Sequence, residues 1–134
     1  MKIQLEVNNA SISYGDKQVV NSVSFKLQEG DIGSLLGPSG CGKTSLLGSI
    51  AGFEPLSTGE INLHERCFAK QGHMVAPEKR RVGMVFQDFA LYPHLTVEQN
   101  ITFGLRDLSQ SSRLERLNEL LKLVDLKHVA KHYP

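Results

Sequence analysis

The sequence predicts a mixed α/β fold, and three patterns in its 134 residues support that prediction. Apolar and polar side chains alternate through residues 3–27, as they do in antiparallel strands that bury one face. A glycine-rich segment at residues 37–44 lies between an apolar run and a helical pattern. After about residue 95, apolar side chains recur at helical spacing. The expected order is therefore strands, a strand–loop–helix unit, and then helices.

The first strands are predicted within residues 1–30. Their apolar positions alternate from Ile3 to Leu27, and Gly15-Asp16 supplies a hairpin turn. The pair Glu29-Gly30 then interrupts the alternation. We expect two or three antiparallel strands here.

Residues 37–44 form a complete G-x-x-x-x-G-K-[ST] phosphate-loop motif. The apolar run at residues 31–36 is predicted to be the strand before it, and a helix is predicted after it, to about Gly52. Glycines allow successive backbone N–H groups to face one point, and the N-terminal end of a helix adds positive partial charge there. The segment predicts a nucleoside triphosphate site formed by Gly37, Pro38, Ser39, Gly40, Cys41, Gly42, Lys43, Thr44 and Ser45.

Three polar side chains of this segment have predicted partners. Lys43 is expected to reach the β- and γ-phosphates, and Thr44 is expected to offer its hydroxyl to Mg²⁺. Ser45 is expected to lie near the α-phosphate.

The rest of the chain predicts two more strands. Gly59–Leu63 is a short strand, residues 64–81 are polar, and Val82–Phe86 has the composition of a buried strand.

Two helices are predicted near the C-terminal end. The first spans Thr96–Leu105, and Ser112–Glu115 is predicted to be a capping box that opens the second. An apolar stripe on the second helix predicts a packed face, formed by Leu114, Leu117, Leu121 and Val124.

Composition indicates the profile of a globular domain and excludes several classes of function. The formal net charge of +1 does not predict a nucleic-acid partner. Two cysteines are too few for a disulfide framework, and the spacing of the five histidines predicts no metal site. No apolar run approaches the ~18 residues of a membrane span, so we expect membrane association only through a partner.

Together with the phosphate loop, two further residues make the chain resemble nucleotide-binding subunits of the ATP-binding-cassette (ABC) family. Tyr14 matches the aromatic residue of the family's A-loop, whose ring stacks on adenine. Gln87 matches the Q-loop glutamine, which senses Mg²⁺ or the attacking water. The run Phe86–Val97 is similar to the importer branch of the family. The resemblance implies ATP and Mg²⁺ as cofactors, with Thr44 and Gln87 at the metal and Gln87 in a catalytic role.

The resemblance also implies an architecture and a set of partners. Residues 1–30 would form an antiparallel β region, 31–94 a phosphate-loop core with the Q-loop, and 95–134 the start of a helical subdomain. Two such subunits pair in the family, and the Gln87–His94 region would contact a membrane permease that receives solute from a periplasmic or extracellular binding protein. The subunit would lie at the cytoplasmic face of the inner membrane. The amino-acid sequence of residues 31–37, 51–55 and 77–88 is similar to that of ferric-iron importer ATPases.

Several family motifs are expected beyond Pro134: the signature, the Walker B strand with its carboxylates, and the switch histidine. We therefore expect an N-terminal part of a longer ABC-type ATPase, with a truncated core sheet and no turnover of its own. Two alternatives stay open. One is a compact phosphate-loop NTPase or nucleotide kinase that uses Asp88, which follows the predicted strand, as its Walker B carboxylate. The other is a nucleotide-binding module without turnover.

Overall fold

The structure is a computed structural model that describes residues 2–134 and divides into two compact units. The first unit ends at Met84, and the second runs from Val85 to Pro134. An antiparallel sheet and one α-helix form the first unit, whereas the second is helical, so the predicted α/β class is confirmed. No helix within the described residues is long and apolar enough to cross a membrane.

The sheet of the first unit has five antiparallel strands, which span Ile3–Tyr14 (β1), Lys17–Gln28 (β2), Thr58–Leu63 (β3), Arg66–Lys70 (β4) and His73–Met74 (β5). Their order in the sheet is β2-β1-β3-β4-β5. The predicted hairpin turn at Gly15-Asp16 is confirmed, because Tyr14 pairs with Lys17 across it. The predicted strand at residues 59–63 is confirmed as β3.

Helix α1 (Lys43–Ala51) packs on one face of this sheet, as the helical spacing after the phosphate loop predicts. Leu46 and Ile50 of α1 join the core cluster of the sheet, in which Val7 and Ile61 are fully buried. Full burial of such a side chain contributes about 1.5–3 kcal/mol. The sheet therefore supports the helix that follows the phosphate loop.

The strands predicted at residues 31–36 and 82–86 are wrong, because the structure has no regular strand at either place. Ile32 is 99% exposed, Leu36 is 91% exposed and Val85 is 89% exposed. A continuous apolar run becomes a strand only where neighbouring strands pair with its edges and other elements cover its faces. Within residues 2–134 neither run has a strand partner.

The polar interpretation of residues 64–81 overlooked two strands. β4 carries Phe68 and Ala69 into the core, and β5 pairs with its end. His64-Glu65 forms the two-residue turn between β3 and β4, with φ values of 46° and 63°. β4 is only five residues long and has a charged residue at each end, so its short apolar stretch does not stand out within the polar sequence around it.

The second unit contains α2 (Val97–Phe103) and α3 (Gln110–Leu123). The first predicted helix is confirmed, and Thr96 and Gln99 form a capping box at its start. The predicted capping box at Ser112 is wrong, because Ser109 is the N-cap of α3 and its hydroxyl accepts from the Ser112 N–H at 3.3 Å.

The predicted apolar stripe of α3 is buried only in part. Leu117 and Leu121 are buried, whereas Leu114 is 59% exposed and Val124 is 52% exposed. The C-terminal segment of the unit is hydrogen-bonded to the start of α2. The N–H groups of Val97 and Glu98 donate to the carbonyl groups of residues 132 and 130, both at 2.9 Å.

Candidate nucleotide-binding site

The phosphate loop enters α1 through Gly42, and the local geometry requires glycine there. Gly42 is the N-cap of α1 and has a φ of 90°, which L side chains rarely adopt. A Cβ at this position would also collide with the carbonyl oxygen of Val19 and lie 2.7 Å from a methyl group of Val20. No side chain caps α1 at this end. The N-terminal end of the helix can therefore offer N–H donors and positive partial charge to an anion.

The side chain of Lys43 folds back across the loop. Its ammonium donates hydrogen bonds to the carbonyl oxygens of Gly37 at 2.8 Å and Pro38 at 2.7 Å. It also lies 3.5 Å from the Sγ atom of Cys41. The loop therefore curves around one cation, which is half-buried and has only neutral partners.

The structure brings Tyr14 to the first turn of α1, although the sequence separates them widely. Tyr14 ends β1, and its hydroxyl donates to the Oγ atom of Ser45 at 3.2 Å. The tyrosine is 48% exposed, so part of its ring surface remains free. Thr44, in the same helical turn, is exposed. One edge of the unit thus presents an aromatic ring, two hydroxyl side chains and the lysine of the loop.

Gln87 belongs to the second unit. It lies exposed in a turn at residues 87–90, in which Phe89 and Ala90 have φ values of 62° and 48°. Asp88 occupies the same exposed turn, and no strand precedes it. The strand on which the Walker B interpretation of Asp88 depended is therefore missing.

Arg80 supports α1 from the end opposite the phosphate loop, and the sequence interpretation missed this role. Its side chain is buried, and its guanidinium donates to the carbonyl oxygens of Ser49 at 2.6 Å and Ile50 at 2.9 Å, at the C-terminal end of α1. It also donates to the carbonyl oxygens of Val75 at 2.7 Å and Phe68 at 3.0 Å. Burial lowers the pKa of this guanidinium.

The Arg80 contacts join α1 to the chain around β4 and β5. A cation near the C-terminal end of a helix also interacts favourably with the helix dipole. Gly52 follows the helix with a φ of 98°, and a Cβ there would lie 2.6 Å from Nε of Arg80. In the sequence Arg80 stands between Lys79 and Arg81, which are both exposed, so residue type alone gave no signal.

The residues present fit the phosphates of a nucleotide. The uncapped helix end, the glycine at residue 42 and the ammonium of Lys43 together make a site for negatively charged oxygen atoms. For a divalent cation the loop offers the Thr44 hydroxyl. Residues 2–134 contain no group of three or more His, Cys, Asp or Glu side chains that could hold a metal ion by themselves.

Comparisons with known proteins agree with this geometry. A family model described as "ABC transporter" matches residues 20–134. The chain is 39% identical to the Fe(3+) ions import ATP-binding protein FbpC of Fusobacterium nucleatum, over 100% of this chain and 36% of the relative. It is 43% identical to the putrescine transport ATP-binding protein PotG of Escherichia coli, over 97% of this chain and 34% of the relative. The chain thus spans about a third of the length of these relatives.

Solved structures give the same assignment. The chain is similar to the dimeric structure of a post-hydrolysis state of the ATP-binding cassette MJ0796 bound to ADP and Pi. The TM-score is 0.76 at 30% sequence identity, and the alignment covers 97% of this chain and 61% of that one. Because the family model matches most of the sequence and a solved cassette shares its fold, the chain belongs to the ABC transporter family, as part of its ATPase domain.

Proposed function

We propose that this chain is the ATP-binding part of the ATPase subunit of an ABC importer. The observation that carries the proposal is the phosphate loop at the uncapped end of α1, with Lys43 inside it and Tyr14 bonded to Ser45 beside it. The loop N–H groups and the helix end would bind the phosphates. The Lys43 ammonium would exchange two neutral carbonyl oxygens for the β- and γ-phosphates, which are charged and therefore stronger acceptors.

The remaining roles follow from the side chains available. Thr44 would hold Mg²⁺, which neutralises phosphate charge when it is bound. Tyr14 would stack on adenine, since it is half-exposed at the edge of the loop. Gln87 would contact Mg²⁺ or the attacking water, because its amide both accepts and donates without adding charge.

Tyr14→Ala should weaken the binding of adenine nucleotides by about 1–3 kcal/mol, the contribution of an aromatic side chain stacked on a base. Tyr14→Phe keeps the ring and loses only the exposed hydroxyl contact with Ser45, so it should have little effect. Titration with a fluorescent ATP analogue measures both. A Tyr14→Phe variant as weak as Tyr14→Ala would show that the hydroxyl matters and the stacking role is wrong.

Turnover tests the enzymatic part of the proposal. We expect the 134-residue chain to bind ATP weakly or not at all and to release no appreciable phosphate, because residues 2–134 contain no group of three His, Cys, Asp or Glu side chains that could hold a metal ion. A longer subunit containing the Walker B and signature motifs should hydrolyse ATP, and Lys43→Ala should abolish that activity. A phosphate-release assay compares them, with size-exclusion chromatography of the 134-residue chain. Robust turnover by a monomeric 134-residue chain, lost in Asp88→Asn, would instead support a compact NTPase.

The partners and the solute belong to the same proposal. The subunit would pair with a second copy and contact permease subunits through residues 87–94, at the cytoplasmic face of the membrane. The likeness to the ferric-iron protein along the whole chain makes ferric iron the first solute to test. The putrescine transport protein is similar at a higher identity, so polyamines are the second class of solute to test. Uptake of labelled iron and labelled putrescine by cells with and without the gene separates the two.

A further inference from the structure

The Asn100 side chain on α2 makes an unusually complete set of contacts with the segment before that helix. Its Oδ1 atom accepts from the Tyr92 N–H at 2.9 Å. Its Nδ2 atom lies 3.1 Å from the carbonyl oxygen of Tyr92, 3.0 Å from that of Leu95 and 3.1 Å from that of Thr96, so its two N–H groups are shared among three acceptors. Both polar backbone groups of Tyr92 therefore bond to one side chain. An amide supplies the donors and the acceptor that this geometry needs, whereas a carboxylate supplies only acceptors.

Exposed apolar surface lies at Tyr92 and in the residues just before it. Phe89 is 74% exposed, Leu91 is 53% exposed and Tyr92 is 40% exposed. The Tyr92 ring also packs on Phe103 of α2, with 4.4 Å between ring centroids. The backbone and the ring of Tyr92 are thus both fixed to α2, while part of the ring stays accessible.

We infer that Asn100 is a positioning residue that holds residues 92–96 in one conformation for contact with the membrane partner. This inference rests on the proposed function, which assigns residues 87–94 to that contact. A segment that is already ordered loses less conformational entropy on binding. The hydrogen bonds of Asn100 should therefore strengthen the contact although Asn100 does not touch the partner. Asn100 is therefore expected to act on coupling to the partner and to leave nucleotide binding unchanged.

Amide hydrogen exchange on the 134-residue chain tests whether the Asn100 side chain holds residues 92–96. Asn100→Ala should speed exchange of the Tyr92 amide about tenfold, because that N–H loses its acceptor. Asn100→Asp has the same size but would direct carboxylate oxygen at three carbonyl oxygens, so it should also loosen residues 92–96. Asn118→Ala, an exposed asparagine on α3, is the matched control. Unchanged Tyr92 exchange in Asn100→Ala, or faster exchange throughout residues 85–134, would overturn the inference.

Coupling to the partner is measured on the complete subunit assembled with its membrane subunits. Asn100→Ala should lower solute-stimulated ATP hydrolysis about tenfold while the ATP affinity stays the same. Tyr92→Ala serves as the comparison, because it alters the segment directly. If Tyr92→Ala lowers the stimulation and Asn100→Ala does not, the positioning role is wrong. If neither variant lowers it, residues 87–94 are not the contact, and this part of the proposed function fails together with the inference.

Discussion

Replacing Lys43 with alanine should reduce ATP binding more than a hundredfold while the first unit stays folded. The lysine ammonium is the cation at the centre of the loop, and charge-assisted hydrogen bonds to phosphate contribute about 1.5–3 kcal/mol each. Without nucleotide, its acceptors are two carbonyl groups of exposed residues, which water can satisfy in the variant. The fold should therefore lose little when the side chain is removed.

Fluorescent-nucleotide titration of the longer subunit measures the change in ATP affinity, and thermal unfolding of the 134-residue chain measures the change in stability. Lys70→Ala is the matched control, because Lys70 is an exposed lysine at the end of β4 in the same unit. Both variants should unfold near the temperature of the unchanged chain, and only Lys43→Ala should lose affinity. An unchanged affinity in Lys43→Ala would refute the assignment of the phosphate loop.

Replacing Arg80 with methionine should destabilise the first unit by about 3 kcal/mol or more. Methionine keeps an apolar stem of similar length but removes the guanidinium from four carbonyl groups, of which those of Ser49, Ile50 and Phe68 are buried and that of Val75 is partly buried. The Phe68 carbonyl still accepts from the Val75 N–H, so the cost falls mainly on the two carbonyl groups of α1. Each buried polar group that loses its partner costs about 1–3 kcal/mol. The loss also removes a link between the C-terminal end of α1 and the chain around β4.

Urea unfolding followed by circular dichroism compares Arg80→Met with Arg81→Met. Because Arg81 is exposed, its replacement should change the free energy of unfolding by about 0.5 kcal/mol at most. Arg80→Lys keeps the positive charge but has a single compact donor group, so it should fall between the unchanged chain and Arg80→Met. This milder variant is measurable even if Arg80→Met does not fold. Equal stability of the Arg80 and Arg81 variants would show that the buried hydrogen bonds contribute nothing net.

Features with local causes were predictable from the sequence. The phosphate loop depends on glycines and a lysine within eight consecutive residues, and α1 follows it with its apolar face at helical spacing. The Gly15-Asp16 hairpin and the helix that begins after Thr96 likewise depend on neighbouring residues. Each of these conformations is stabilised by groups close together in the chain, so residue type and spacing are sufficient to indicate them.

Only the tertiary structure decided the features that depend on distant partners. Residues 31–36 have the composition of a buried strand, but a strand requires neighbours along its edges, and Ile32 is exposed instead. Arg80 looks like Lys79 and Arg81 until the fold brings the C-terminal end of α1 to it.

The same reason explains the polar contact beside the phosphate loop. Tyr14 meets Ser45, which lies far along the chain from it, because the sheet supports α1 beside the end of β1. The sequence by itself therefore determined which residues form the phosphate loop and its helix. The three-dimensional fold decided which strands form, which basic residue is buried and which side chain meets Ser45, because these depend on contacts between residues far apart in the chain.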